Sequence, residues 1–181
     1  MQPQEDNLSD VARLFGRLLL HEVDEGMRAE LCAPELSAAL SSVGVDTGLL
    51  VEADLDQLAA EFLEAFLQPA EGGPLVQSLW TQGNYEADCA VTVRKLAEAA
   101  GVDFDRQAAR GAPQDHLGCI LLLWAEVREP ATAVAERLEQ EHLAWALAPL
   151  ARIAAGEGFY AGVARAVGAF LRELTAEKAV G

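Results

Sequence analysis

Apolar residues recur three and four apart along most of this chain, and no segment sustains a two-residue alternation. The first stripe covers residues 9–23. Val11, Leu14 and Leu18 fall on one side with Phe15 and Leu19 beside them, and Arg13 and Arg17 take the other side. Asp24-Glu25-Gly26 breaks it. Short helices are expected through Met27, Leu31 and Cys32 and from Pro34 to Leu40, followed by a Ser- and Gly-rich loop over 41–47. A stronger helix is expected over 54–67, with Leu55, Leu58, Phe62 and Phe66 as its stripe and Leu63 and Leu67 flanking. Residues 68–84 hold Pro69, Gly72, Gly73, Pro74 and Gly83 and read as a long irregular loop. Leu75-Val76-Gln77-Ser78-Leu79-Trp80 lies inside it and favours a loop packed against something. A helix over 85–100 should stop at Gly101, and 102–111 should be a polar connection. Thr132 is a candidate cap for a further helix, which Pro149 should kink or end. Gly156 and Gly158 mark a turn before a last helix carrying Phe159, Val163, Val167, Phe170 and Leu171 on one side. The tail after Thr175 should fray. The pattern predicts an all-α, single-domain bundle of about six or seven helices.

One stretch organises the rest. Ala112-Pro113-Gln114-Asp115-His116 leads into an uncharged run from Leu117 to Trp124. Such a run suits a helix buried on most sides. Pro113 is tolerated in a first helical turn, and Asp115 is a good acceptor for a free N–H there. An ionisable pair, Asp115 and His116, is therefore expected at the mouth of a buried helix.

Length and composition fit one soluble domain: 181 residues, half of them apolar. No apolar run approaches the roughly 20 residues of a membrane span. The polar, acidic start lacks the basic and apolar parts of a secretory signal. Cys32, Cys89 and Cys119 are few and far apart, which suits a reducing compartment and free thiols without metal. The net charge is −16. Residues 1–72 carry 15 acids against 3 bases, and residues 73–181 carry 14 against 10. This argues against nucleic acid as a partner and favours a basic one, although a solvated acidic surface reads the same way.

The chemistry that the residues suggest is sparse. His116 and Cys119 share a helical spacing without the further ligands that zinc needs. Glu139 and His142 form a single Glu-x-x-His where a di-iron bundle needs two, so a charged helix face is the simpler reading. Ser78, Asp115 and His116 supply the types for a nucleophile and its base, but no Gly-x-Ser-x-Gly elbow and no phosphate loop occurs. A small hydrolase or nucleotide-handling enzyme using Asp115 and His116 is one alternative, and a helical adaptor without a groove is another.

Taken together, the motifs resemble a family. Pro113-Gln114-Asp115-His116-Leu117 resembles the Pro-x-Asp-His signature of the TorD/DmsD/NarJ redox-enzyme maturation chaperones. Leu67-Gln68-Pro69 stands where that family has Gly-Pro after a helix. Leu75 to Trp80 resembles its aromatic-Glu/Gly-Ser-Val-aromatic segment, Glu141-His142-Leu143-Ala144-Trp145 its His-Leu-x-x-Trp helix, and Phe159-Tyr160 with Phe170-Leu171 its last helix. Ala12-Arg13-Leu14-Phe15 fits its opening helix. Gly111-Ala112 replace the Glu usual before the signature, and Val76 and Gln77 replace an aromatic and a Glu. The resemblance implies a cytoplasmic, all-helical chaperone with no cofactor of its own, monomeric or a helix-exchanged dimer. Its partner would be the precursor of a molybdenum-containing oxidoreductase of the DMSO-reductase class, met at the twin-arginine signal peptide. Gln77, Ser78, Trp80, Pro113, Asp115, His116 and Leu117 are the expected peptide-binding residues. Asp115 would take an arginine, and Trp80 and Leu117 the apolar segment.

Overall fold

Helices carry the chain throughout. The computed structural model describes residues 5–68, 74–105, 107 and 109–176. In order, the α-helices are α1 (Glu5–Leu20), α2 (Glu25–Leu31), α3 (Pro34–Ser42), α4 (Gly48–Glu52), α5 (Leu55–Phe62), α6 (Gln77–Gln82), α7 (Asp88–Ala99), α8 (Leu117–Val127), α9 (Thr132–His142), α10 (Leu147–Ala154) and α11 (Phe159–Ala176). A π-helical turn, Leu63–Leu67, continues α5, and a 3-10 turn, Ala144–Ala146, precedes α10. Among the described residues there is no β-strand, only an isolated antiparallel bridge between Val76 and His116. The all-α expectation holds. The segments are more numerous and shorter than six or seven: α6 lies inside the stretch expected as a loop, and α4 falls between the loop expected over 41–47 and the helix expected over 54–67. Pro149 falls in the first turn of α10 and does not end a helix. The N–H it lacks has no intrahelical acceptor there. Pro69, Gly72, Gly73 and the tail beyond 176 lie outside the described residues.

The contacts gather into two compact units, one within residues 1–21, 75–146 and 174–181, the other within 22–74 and 147–173. The second unit is built round four aromatic rings. Phe62, Phe66 and Phe159 each meet Tyr160 edge-on at centroid distances of 5.1–5.5 Å. This arrangement is favourable beyond its buried area. The Tyr160 hydroxyl accepts from Val23 N at 3.0 Å, so the one polar atom of this cluster is paired. Tyr160 N donates to Glu61 Oε1 at 2.9 Å, which satisfies an otherwise orphan donor at the start of α11.

The first unit is centred on α8, of which Leu117, Gly118, Cys119, Ile120, Leu121, Leu123, Trp124, Ala125 and Val127 are all buried. Trp124 Nε1 still finds a partner, Glu139 Oε1 on α9 at 2.8 Å. Helices α1 and α8 press together backbone to backbone. A Cβ on Gly118 would lie 2.6 Å from Leu20 Cγ and 2.9 Å from the Gly16 carbonyl oxygen. A Cβ on Gly16 would lie 2.8 Å from Leu122 Cγ and 3.0 Å from the Gly118 carbonyl oxygen. Gly118→Ala should therefore destabilise the protein by about 1–2 kcal/mol, because overpacking against a carbonyl outweighs the roughly 1 kcal/mol that alanine gains in a helix. Gly16→Ala, which meets the Leu122 side chain and the Gly118 carbonyl in the same way, should cost about as much. Thermal melts of the two variants check both losses.

Candidate functional site

Leu75, Val76 and Gln77 run antiparallel to Asp115, His116 and Leu117. Gln77 N donates to the Asp115 carbonyl at 3.0 Å, and Leu117 N donates to the Leu75 carbonyl at 2.8 Å. This two-bond pairing brings the N-termini of α6 and α8 side by side, joining segments far apart in sequence.

The capping roles differ from those expected of the sequence. His116, not Asp115, is the N-cap of α8. Its backbone is extended there, and its Nδ1 accepts from Gly118 N at 3.1 Å. Asp115 stands one residue earlier and caps the other helix. Its Oδ2 accepts from Ser78 N in the first turn of α6, at 2.7 Å. The physical reason is the pairing itself, which sets the start of α6 opposite Asp115, while α6 has no side-chain cap of its own. Pro113 is likewise outside α8. Its carbonyl accepts from His116 N at 2.9 Å, closing the turn that precedes the helix.

A third element joins the knot. Gln77 Nε2 donates to the Glu141 carbonyl at 2.9 Å, and Gln77 Oε1 meets His142 Nδ1 at 2.6 Å. The amide oxygen only accepts, so His142 Nδ1 carries the proton. His142 is buried at the end of α9, which overturns the charged-face reading of residues 139–142 at that position. Ala135, Leu138 and His142, spaced three and four apart, form the buried side of α9. That spacing was the sequence signal for His142.

The structure thus brings Gln77, Ser78, Asp115, His116 and Leu117 into one network. All five are buried, Ser78, Asp115 and Leu117 completely. Trp80 lies one turn further along α6 and is half-buried, as is Pro113. Among the described residues, three buried side-chain atoms have no hydrogen-bond partner: Ser78 Oγ, Asp115 Oδ1 and His142 Nε2.

The electrostatics follow from this burial. Desolvation pushes the His116 pKa down to about 4, so its ring is neutral at physiological pH, and with Nδ1 accepting, its proton sits on Nε2. His142 is also held below the usual histidine range by burial, against the pull of Glu141. The Cys119 thiol is pushed up to about 12 by burial and then by the Asp115 charge, which makes it an unreactive thiol. Asp115 and His116 are adjacent in sequence but engage different partners, so they do not form an acid–base dyad here. No group of three or more His, Cys, Asp or Glu side chains among the described residues is placed to hold a metal ion.

Comparison with known proteins places this geometry in a family. The model of the nitrate reductase delta subunit family matches residues 21–151, and the chain belongs to that family, the NarJ/TorD-type maturation chaperones. Its class is therefore that of a redox-enzyme maturation chaperone. The fold is similar to that of a crystal structure described as a redox enzyme maturation protein from Archaeoglobus fulgidus, with a TM-score of 0.67, 18% identity, and coverage of 95% of this chain and 96% of that one. No curated protein matches the chain. Among the described residues, no helix is long and apolar enough to cross a membrane.

Proposed function

We propose that this chaperone acts in the cytoplasm on the precursor of a molybdenum-containing oxidoreductase of the DMSO-reductase class. It binds the precursor's twin-arginine signal peptide and delays export until the molybdopterin guanine dinucleotide cofactor is inserted. The observation that carries this reading is Asp115, a buried carboxylate with one oxygen used in the fold and the other without a partner. A spare carboxylate oxygen suits an incoming cation, and the acidity of the chain suits a basic peptide. Half-buried Trp80 on α6 serves as the anchor for the apolar part of the peptide. His116, committed to its helix cap and neutral, holds the turn in place and does not meet the peptide charge.

Isothermal titration tests this with a peptide carrying two arginines before an apolar segment, beside the same peptide carrying two lysines. Binding should weaken with added salt, since exposed attraction is screened over about 8–10 Å. Asp115→Asn should weaken the arginine peptide by about 1–3 kcal/mol and the lysine peptide by less, because only arginine presents a planar fork. Trp80→Ala should weaken both alike. Equal affinity of wild type and Asp115→Asn for the arginine peptide would remove Asp115 from the site.

A further inference from the structure

We infer that Ser78 Oγ, Asp115 Oδ1 and His142 Nε2 together form an acceptor set for one guanidinium, and that Gln77 is the positioning residue that keeps His142 in its accepting form. The inference rests on the reading that an arginine of the client comes to Asp115, and it adds the residues that complete its recognition.

The tautomer is the central point. The Glu141 carbonyl can only accept, so the nitrogen of the Gln77 amide must face it, as it does at 2.9 Å. The amide oxygen therefore faces His142 Nδ1, which must donate. A neutral imidazole with its proton on Nδ1 has a lone pair on Nε2. Asp115 Oδ1 only accepts, and a serine hydroxyl accepts freely. All three unpartnered atoms can thus accept, and Ser78 Oγ keeps an O–H to donate as well. They belong to one bonded network, because Ser78 N is held by Asp115 and the neighbouring Gln77 holds His142.

The charges facing His142 also suit a single cation. Glu141 Oε2 lies 3.9 Å from Nε2, but Arg137 already grips that carboxylate at 3.1 and 3.2 Å. Asp115 is left as the uncompensated charge of the set. A guanidinium offers five donors in a plane, whereas an ammonium is a compact, strongly hydrated point charge with three. An acceptor set spread over three elements therefore favours arginine over lysine. Because these atoms lie below the surface, side chains at the start of α6 must shift to admit the ligand.

The full chain is titrated with the arginine-pair peptide and its lysine counterpart, and the melting temperature of each variant is recorded. Ser78→Ala keeps the backbone bond to Asp115 and removes only the unpartnered hydroxyl. It should bind the arginine peptide about tenfold more weakly while melting no lower than wild type. A merely structural serine would lower the melting temperature and leave affinity unchanged. Gln77→Glu keeps an acceptor for Nδ1 but favours the imidazolium, which turns Nε2 into a donor. Affinity for the arginine peptide should again fall at least about tenfold, and nitrogen NMR of the His142 ring should change from the neutral Nδ1-protonated form to the doubly protonated one. Wild-type binding with undiminished affinity in Ser78→Ala, or a wild-type ring protonated on Nε2, overturns the acceptor set and leaves the chaperone reading standing. Absence of arginine-peptide binding in wild type defeats both.

Discussion

Asp115→Ala should lower the stability of the protein by about 2–4 kcal/mol. The loss has two sources. The N–H of Ser78, buried in the first turn of α6, loses its acceptor at 2.7 Å, and an unsatisfied buried donor costs roughly 1–3 kcal/mol. The space left by the carboxylate adds the rest. For a chain of this length that is a fall in melting temperature on the order of 5–15 °C. Asp115→Asn should cost far less, since its amide oxygen can still accept from Ser78 N. The pair of variants thus separates the two jobs of this side chain. Alanine reports the hydrogen bond that caps α6, and asparagine reports the charge offered to a ligand. Equal melting temperatures for wild type and Asp115→Ala would show that α6 does not depend on this cap.

The protein should also lose stability on mild acidification. Unfolded, His116 titrates at about 6.5, and folded it titrates at about 4. Above the higher value it is neutral in both states, and its contribution to stability is fully present. Between the two values the unfolded chain takes up a proton that the folded chain refuses, so stability falls as the pH falls. The loss should reach about 3 kcal/mol near pH 4. His142, lowered in the same direction, adds to it. The structural consequence is loss of the α8 cap, because a protonated Nδ1 cannot accept from Gly118 N. His116→Asn keeps a capping oxygen and removes the titration. Its melting temperature should vary less between pH 6.5 and 4 than that of wild type, and an unchanged pH profile would refute the assignment.

The helices with strong stripes were legible in the sequence. Helices α1, α5, α8 and α11 carry leucines and aromatics at helical spacing, α7 carries Ala90, Val93 and Leu96, and the structure buries those sides. Helix α6 was hidden because its N-terminal cap comes from Asp115, 37 residues further on. The stretch from Leu75 to Gly83 holds no acid, and its Ser78 lies inside the first turn of α6, where its N–H receives the cap. The position of Asp115 misleads for the complementary reason. Read locally, an acid before an apolar run caps that run, and only the pairing of residues 75–77 with 115–117 turns it toward another helix. The burial of His142 is hard to read because three charged or amide neighbours, Glu139, Gln140 and Glu141, mask its place on the buried side of α9. The nearness of residues 77–78 to 115–117 was not readable from periodicity, and the family resemblance alone suggested that they belong to one site.

The close meeting of Gly16 and Gly118 has a bearing on how the chain is made. Helix α1 leaves the ribosome first, yet the groove that receives it belongs to a helix encoded about a hundred residues later. At common elongation rates that interval lasts on the order of 5–20 s. Throughout it, Phe15, Leu18 and Leu19 have no permanent place to go. The intervening residues 22–74 cannot finish their own unit either, because α10 and most of α11, which complete it, are made after α8. Neither unit can therefore close when its first segment is made, and the apolar sides of α1 and α5 stay uncovered until the later helices emerge.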